Sequence, residues 1–398
     1  MKILFVAPWV PAPVRPRSLV IMRLLAEQHD VRFLGLAKDS TEAALAADLP
    51  VEMPPVLVPN PTAGSLTRTA VALGTGASLQ TGYANPRTLT AELHRIRAEW
   101  RPDAVHLNVF RTAHLVEECR DTPVIIDLDE FRSEYYEQLA ATGPSVVWRM
   151  IGRVEQRRMG AREAELVRMR VPIMLSAPVL SGEAPPNTFV VRSPYDYAPR
   201  PRQPQPRPTV LFVGRLTYEA NVNGLMWFIR ECWQQIRQRV PAARLRIVGE
   251  APPKQVQALA GDDIEIFGDV PSVDPHYAAA DVAIAPIFRG TGIQMKVIQS
   301  LSAEVPTVTT GLVAARAGIV DGVHVCAAED PAGWIEATSA LLANPARARQ
   351  LAVAGREWAV TNHGTAAVRA QLATAYRSLS ASIPQQRRRL IQWSQTSR

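Results

Sequence analysis

The sequence predicts an α/β protein: two Rossmann-like, doubly wound domains facing each other across a cleft. Three observations carry this expectation. Short apolar runs alternate with amphipathic stretches through roughly the first 190 residues, as in βαβ units with a parallel sheet. The same alternation restarts at Thr209. Between the halves, Ser193–Pro208 reads SPYDYAPRPRQPQPRP, and its six prolines exclude both a helix and a central strand. Ligands of such sheets bind outside the carboxyl ends of the strands.

In chain order, Lys2–Ala7 reads as a buried strand and Ser18–Gln28 as a helix with Leu19, Met22, Leu25 and Ala26 on one face. Val31–Leu34, Ala104–Asn108 and Val124–Leu128 read as strands, the last two separated by a helix over Thr112–Cys119. Phe131–Ala141 and Val147–Arg170 read as helices. The second carries Arg149, Arg153, Arg157, Arg158, Arg162, Arg168 and Arg170 among Glu155, Glu163 and Glu165. That pattern suits a solvated face with i,i+4 pairs, or a basic face turned to a membrane or an acceptor. The second half gives strands at Thr209–Val213, Leu245–Val248, Ile264–Phe267, Val282–Ala285, Thr307–Thr309 and Val323–Cys326. Its helices are expected at Asn221–Arg239, Lys254–Leu259, Val273–Ala279 and Gly292–Ala303, then Pro331–Leu342, Pro345–Thr361 and Thr365–Ser380. The resulting organisation is an N-terminal Rossmann-like domain over 1–192, a Pro-rich linker over 193–208 and a second Rossmann-like domain over 209–362. A helix within 363–384 returns to the N-terminal domain, and 385–398 is a basic tail.

The chain has 398 residues, enough for two domains of ~100–200 residues. With 47% hydrophobic and 20% charged residues it is globular in composition, which excludes a disordered chain or a disulfide scaffold. Cys119, Cys232 and Cys326 lie far apart and read as buried thiols of a reduced compartment. The apolar stretch Ile3–Ala7 is far shorter than the ~20 residues that span a bilayer, so a cytoplasmic protein is expected, at most peripheral to the inner membrane. The net charge of +7 suits an anionic substrate or an anionic membrane surface. No zinc spacing, basic zipper or aromatic RNA-binding pattern points to nucleic acid. Arg387-Arg388-Arg389-Leu390-Ile391-Gln392-Trp393 in the tail suits a weak membrane contact or a frayed end.

The chemistry is expected at Asp281–Thr310. A strand ends at Ala285-Pro286, the loop Phe288-Arg289-Gly290-Thr291-Gly292 follows, and a helix begins that carries Lys296. Glycines let the backbone approach a ligand and aim N–H groups at it, and a helix N-terminus adds partial positive charge. With Arg289 and Lys296 this makes a diphosphate site. A second glycine turn, Val213-Gly214-Arg215-Leu216, brings Arg215 to the adjacent strand end.

These stretches, with Tyr218–Gly224 and Arg246-Ile247-Val248-Gly249, resemble the donor domain of GT-B glycosyltransferases of the family 4 type. The nearest pattern is the bacterial branch whose loop runs Gly-x-Gly-x-x-x-Lys-x-x-Glu-Ala. Ile126-Asp127-Leu128-Asp129-Glu130 followed by Ser133-Glu134-Tyr135-Tyr136 is similar to that branch's Asp-Leu-x-Asp…Ser-Glu segment. The resemblance implies transfer of a sugar from a nucleoside diphosphate, UDP first, with retention at the anomeric carbon and with no metal or further cofactor. It implies donor contacts at Gly214, Arg215, Arg289, Gly290, Thr291, Gly292, Ile293, Lys296 and Gln299, with catalysis resting on Asp129, Arg215 and Lys296. The acceptor is a small molecule, lipid or glycan.

The departures are specific. The family's Glu-x7-Glu pair reads Thr291 and Gln299, and the Lys expected five residues after Arg215 is Ala220. Gln299 reaches ribose hydroxyls only through an uncharged amide. The glycine-rich acceptor loop is replaced by Pro8-Trp9-Val10-Pro11-Ala12-Pro13-Val14-Arg15-Pro16-Arg17. Trp9, Arg15, Arg17, His106 and Asp127 are the expected acceptor contacts. Asp129 reads either as a sugar contact or as the N-cap of the following helix. His106 reads as a cleft or a core residue, and His276 as packing at a helix end. A nucleotide-sugar 2-epimerase and a non-catalytic partner are the alternative activities on the same fold.

Overall fold

The computed structural model describes residues 1–119, 121–180, 183–197, 205–290 and 292–379, the side chain of Leu73 excepted. The chain divides into two compact units. One is built on Met1–Ser176 and Glu183–Ser193 and takes in residues 369–379; the other is built on Pro194–Val368.

The first unit holds a seven-stranded parallel sheet: β1 (Lys2–Ala7), β2 (Asp30–Ala37), β3 (Val56–Pro59), β4 (Ala104–Asn108), β5 (Val124–Asp129), β6 (Ile173–Leu175) and β7 (Thr188–Val190), in the order β3-β2-β1-β4-β5-β6-β7. β1 lies between β2 and β4, with Ile3 opposite both Val31 and Ala104. The chain therefore reverses its direction of winding between β1 and β4. That point is the ligand crevice of an open α/β sheet.

The second unit holds β8 (Thr209–Val213), β9 (Arg244–Gly249), β10 (Ile264–Gly268), β11 (Val282–Ala285), β12 (Thr307–Thr309) and β13 (Cys326–Ala327), ordered β10-β9-β8-β11-β12-β13 and all parallel. Every residue of β8 is buried. Val210 and Phe212 pack into one core with Phe228 and Trp334, while Leu211 and Val213 pack into another with Tyr277 and Val248. Both faces are covered, which is why this strand reads as a continuous apolar run.

Several elements differ from expectation. β3, β6, β7 and the helices Thr62–Thr75, Leu79–Tyr83, Arg87–Trp100 and Gly311–Ala317 carry no clear sequence signal. β6 and β7 have three residues each, too few to show a period. Phe110–Cys119 winds as a 3₁₀ helix, and the Thr112 hydroxyl donates to the carbonyls of Asn108 and Val109 in competition with α-helical bonds. The expected strand at Val323–Cys326 begins only at Cys326. Before it the chain turns through Gly322 at φ +72°, and the Asp321 carboxylate accepts from Ala327 N–H at 2.7 Å. The long helix over Glu219–Arg239 contains a π-helical turn at Ile229–Trp233, beside which the Trp233 indole donates to Asp263 at 2.7 Å. Residues 365–379 are helical, and Tyr376 on that helix lies in the first unit, hydrogen-bonded to His106 at 2.9 Å.

Candidate active site

In the second unit the glycine turns lie at the carboxyl ends of β8 and β11, the two neighbouring strands between which the winding reverses. Close backbone packing fixes them. A Cβ on Gly249 would lie 2.0 Å from the Gly214 carbonyl oxygen, so β9 presses against the turn after β8. A Cβ on Gly224 would lie 1.7 Å from the Pro286 oxygen, so the Glu219–Phe228 helix sits directly on the chain leaving β11. That contact places Asn221. Its Nδ2 donates to the Arg215 carbonyl at 2.7 Å, and its Oδ1 accepts from the Lys296 ammonium.

Lys296 lies in the first turn of the Met295–Ser302 helix, and its ammonium is 5.6 Å from the centre of the Phe212 ring. Among the described residues no carboxylate pairs with it, and burial alone pulls it down to about 7. No side chain caps this helix, and in its first turn the Val297 N–H donates to the Gln294 carbonyl at 2.9 Å. Gly290, at φ +142°, shapes the preceding loop as only glycine readily can. Arg289 is exposed and makes no ion pair among the described residues. Gly292 and Ile293 are half-buried at the same loop, and Thr291 lies outside the described residues. Arg215 reaches Glu250 at 3.2 Å, a surface pair with both side chains more than half exposed. The Gln299 Oε1 accepts from Tyr277 Oη at 3.3 Å, and the same hydroxyl donates to the Lys296 carbonyl at 3.2 Å. The amide oxygen of Gln299 is thus engaged, and its NH₂ is the group left for a ligand.

The first unit presents a different chemistry at the ends of β1, β4 and β5. Trp9 carries two guanidinium groups over its ring, Arg15 at 5.1 Å and Arg111 at 5.6 Å. Arg111 also lies 5.1 Å from the centre of Tyr83, and its Nε donates to Gln80 at 3.3 Å. Arg15 pairs with Glu42, whereas Arg111 has no carboxylate partner among the described residues. Burial, and then the charges of Arg132 and Arg15, pull Arg111 below its ordinary value, against the pull of Tyr83 and Tyr136. Arg111 follows a Phe110 that looks like core, so sequence patterning gave it no weight.

Three of the residues expected to meet the acceptor, His106, Arg17 and Asp127, are engaged within the protein. His106 is 0% exposed, stacked on Phe5 at 4.4 Å. Desolvation, helped by Arg17, lowers it to about 3, so it is a neutral core residue. Arg17 and Asp127 serve each other: Nε and Nη2 of Arg17 donate to Asp127 at 3.0 and 2.8 Å, and Nη1 donates to the Val191 carbonyl at 2.8 Å. This buried pair ties β5 to the start of the Pro16–Ala26 helix and leaves no free edge for an acceptor.

Asp129 does not cap a helix, since the cap position of Arg132–Thr142 is Phe131. It sits instead at φ +66°, an uncommon backbone for a non-glycine residue, at an irregularity in the β5–β6 pairing. Its carbonyl accepts from Ser176 N–H at 2.7 Å and Oγ at 3.0 Å, which holds the strain in place. The carboxylate is 46% exposed and lies 3.4 Å from Arg17. The Arg132–Thr142 helix is capped from a distance by Glu163, which accepts from both the N–H and the hydroxyl of Ser133. His276 packs its ring against Phe267 at 4.8 Å. No group of three or more His, Cys, Asp or Glu among the described residues could hold a metal ion.

Two parallel α/β sheets, each with its polar residues gathered at a winding reversal, define a two-domain GT-B fold. Residues 207–344, which lie within the second unit, match the family model Glycosyl transferases group 1. Over 187 residues the chain is 28% identical to a phosphatidyl-myo-inositol mannosyltransferase of Mycobacterium leprae, covering 44% of this chain and 47% of that protein. Over 178 residues it is 30% identical to a GDP-mannose-dependent alpha-(1-6)-phosphatidylinositol monomannoside mannosyltransferase of Mycolicibacterium smegmatis, covering 39% and 44%. The chain thus spans about half the length of these relatives. HepE of Anabaena, solved in complex with UDP, has the same fold, with a TM-score of 0.61 at 12% identity over 95% of this chain and 100% of that one.

Proposed function

We propose that the protein is a glycosyltransferase of the family 4 type that moves a sugar from a nucleoside diphosphate, UDP first, to a hydroxyl of a small-molecule, lipid or glycan acceptor, with retention at the anomeric carbon. The observation that carries this is Lys296: a desolvated ammonium without a carboxylate, held by Asn221 at an uncapped helix start behind a glycine turn. A buried cation without its own anion suits a ligand that brings one. A diphosphate does so, and Arg289, Arg215 and the backbone around Gly290 and Gly292 add to its charge stabilisation.

In the transfer, the bond from the anomeric carbon to the diphosphate oxygen breaks and a bond to the acceptor oxygen forms on the same face. The acceptor's proton passes to the departing diphosphate. No protein nucleophile is needed, so the residues act by positioning and by stabilising the leaving charge. On the first unit, Asp129 is fixed by backbone strain with its carboxylate open, as a group that holds a sugar hydroxyl requires. Trp9, Arg15 and Arg111 offer an aromatic and cationic surface suited to an acceptor with an anionic group.

A donor screen by mass spectrometry tests the reading. UDP- and GDP-linked hexoses are incubated with and without pools of glycan and lipid acceptors. Acceptor-dependent release of the nucleoside diphosphate is expected. Conversion of the donor to its epimer without any acceptor, or binding without turnover, would overturn it.

A further inference from the structure

We infer that the amino-terminal half of the Val146–Arg168 helix is a docking surface for an anionic lipid bilayer. This inference does not depend on the proposed reaction. The inner face of the helix, Gly152, Glu155, Met159, Glu163 and Leu166, is buried. A Cβ on Gly152 would come within 2.5 Å of the Ala140 backbone, so the Arg132–Thr142 helix is packed tightly against that face. The outer face is left open and is apolar where a soluble surface would be polar. Val146 is 62% exposed, Val147 64%, Met150 60% and Val154 46%, with Trp148 at 50% in the first turn. Single exposed apolar residues are ordinary; Val146, Val147, Met150 and Val154, four within nine positions on one side of the helix, form a patch.

The charges on this patch have one sign. From Gly143 to Val154 the chain has no acidic residue, and Arg149 and Arg153 lie within that stretch. The next acid, Glu155, is buried and accepts from Leu79 N–H at 2.9 Å. Arg153 and Arg157 flank the apolar stripe and make no ion pair among the described residues. Valines and a methionine to enter the acyl boundary, a tryptophan for the headgroup level and arginines for lipid phosphates together match an anionic interface. A second copy of the chain fits less well, because two-fold pairing sets Arg153 and Arg157 against like charges. The carboxy-terminal segment, with Arg387, Arg388 and Arg389, repels the patch for the same reason.

The test is co-sedimentation of the full chain with phosphatidylcholine vesicles, with and without phosphatidylglycerol. Binding is expected only with the anionic lipid and should fall as salt rises. Val147→Asp/Met150→Asp and Arg153→Glu/Arg157→Glu should each weaken it by about tenfold or more, since each interfacial arginine contributes ~1 kcal/mol. Circular dichroism and thermal melts of both variants should match those of the wild type, which shows that they fold. Equal vesicle binding by wild type and both variants would overturn the inference. So would loss of binding only in Arg387→Gln/Arg388→Gln/Arg389→Gln, or a dimer in light scattering that the Val147→Asp/Met150→Asp change abolishes.

Discussion

Asn221 accepts a hydrogen bond from the Lys296 ammonium while its amide nitrogen donates to the Arg215 carbonyl at 2.7 Å. One uncharged side chain therefore joins the turn after β8 to the helix after β11. An aspartate in its place would neutralise the cation; asparagine positions it and leaves its charge for a ligand.

Asn221→Ala should lower UDP affinity by about 1–2 kcal/mol, because Lys296 loses the side-chain acceptor that holds its ammonium and the Arg215 turn loses a tether. Asn221→Asp should keep or raise the melting temperature and yet weaken UDP binding, because the carboxylate takes the charge meant for the diphosphate. Calorimetry with UDP and a thermal melt on both variants separate positioning from folding.

Lys296→Ala and Arg289→Ala should each weaken UDP by around 1.5–3 kcal/mol, as expected for charge-assisted bonds. The stability effects should differ. Arg289 is exposed, so its loss should leave the fold unchanged, whereas removing Lys296 relieves a desolvated charge and should stabilise the empty protein slightly. Unchanged UDP affinity in both variants would remove the phosphate assignment.

Gln299 tests the family departure. Its oxygen is taken by Tyr277, which leaves the NH₂ to donate to a ribose hydroxyl. Gln299→Glu keeps the Tyr277 bond but loses that donor, and donor affinity should change only slightly because ribose hydroxyls can donate to a carboxylate instead. Gln299→Leu leaves Tyr277 its bond to the Lys296 carbonyl but leaves the ribose unpaired, and should weaken UDP by about 1–3 kcal/mol. Nucleotide titration of Gln299→Leu that matches wild type would show that this side chain serves only the Tyr277 contact.

The glycine turn and lysine after β11 were legible in the sequence because they are local. Gly290, Gly292 and Lys296 fall within seven positions between one strand and one helix, so spacing alone places them together. The side-chain contacts at the ends of β1, β4 and β5 were not, because they are long-range. Arg17 meets Asp127 across 110 positions, and nothing in either local pattern shows that each occupies the other. Arg111 stacks on Trp9 from a 3₁₀ helix that reads as an ordinary amphipathic stretch. His106 looks the same in sequence whether its strand end is open or covered; Tyr376, 270 positions later, covers it. Parallel strands followed from the βαβ pattern, while the three-residue strands β6 and β7 had no period to read.

Glu163 predicts a pH dependence of stability in the first unit. Burial raises its carboxyl to about 7, despite the bonds from Ser133 and Arg132 that pull it down. The folded state therefore binds a proton more tightly than the unfolded chain. The stability linked to this proton is full below the unfolded value near 4.5 and is lost as pH rises through about 7. Glu163→Gln keeps an acceptor for Ser133 without the charge. Denaturant melts should show it more stable than wild type at pH 8, by up to about 3 kcal/mol, with little advantage at pH 4. Parallel stability curves for the two proteins across that range would contradict the raised carboxyl.

The central claim is that Lys296 is a desolvated cation whose charge is completed by the donor's diphosphate. Since burial pulls the empty-site ammonium down to about 7, most of it is neutral at pH 8. An arriving diphosphate favours the charged form and raises it again. UDP binding at pH 8 should therefore take up a proton from solution, close to one per site, with affinity falling as pH rises above about 7. Calorimetry of UDP binding in buffers of different ionisation enthalpy reads that uptake directly. The account predicts uptake near one proton in the wild type and none in Lys296→Met; no uptake in the wild type, or equal uptake in the two proteins, would contradict it.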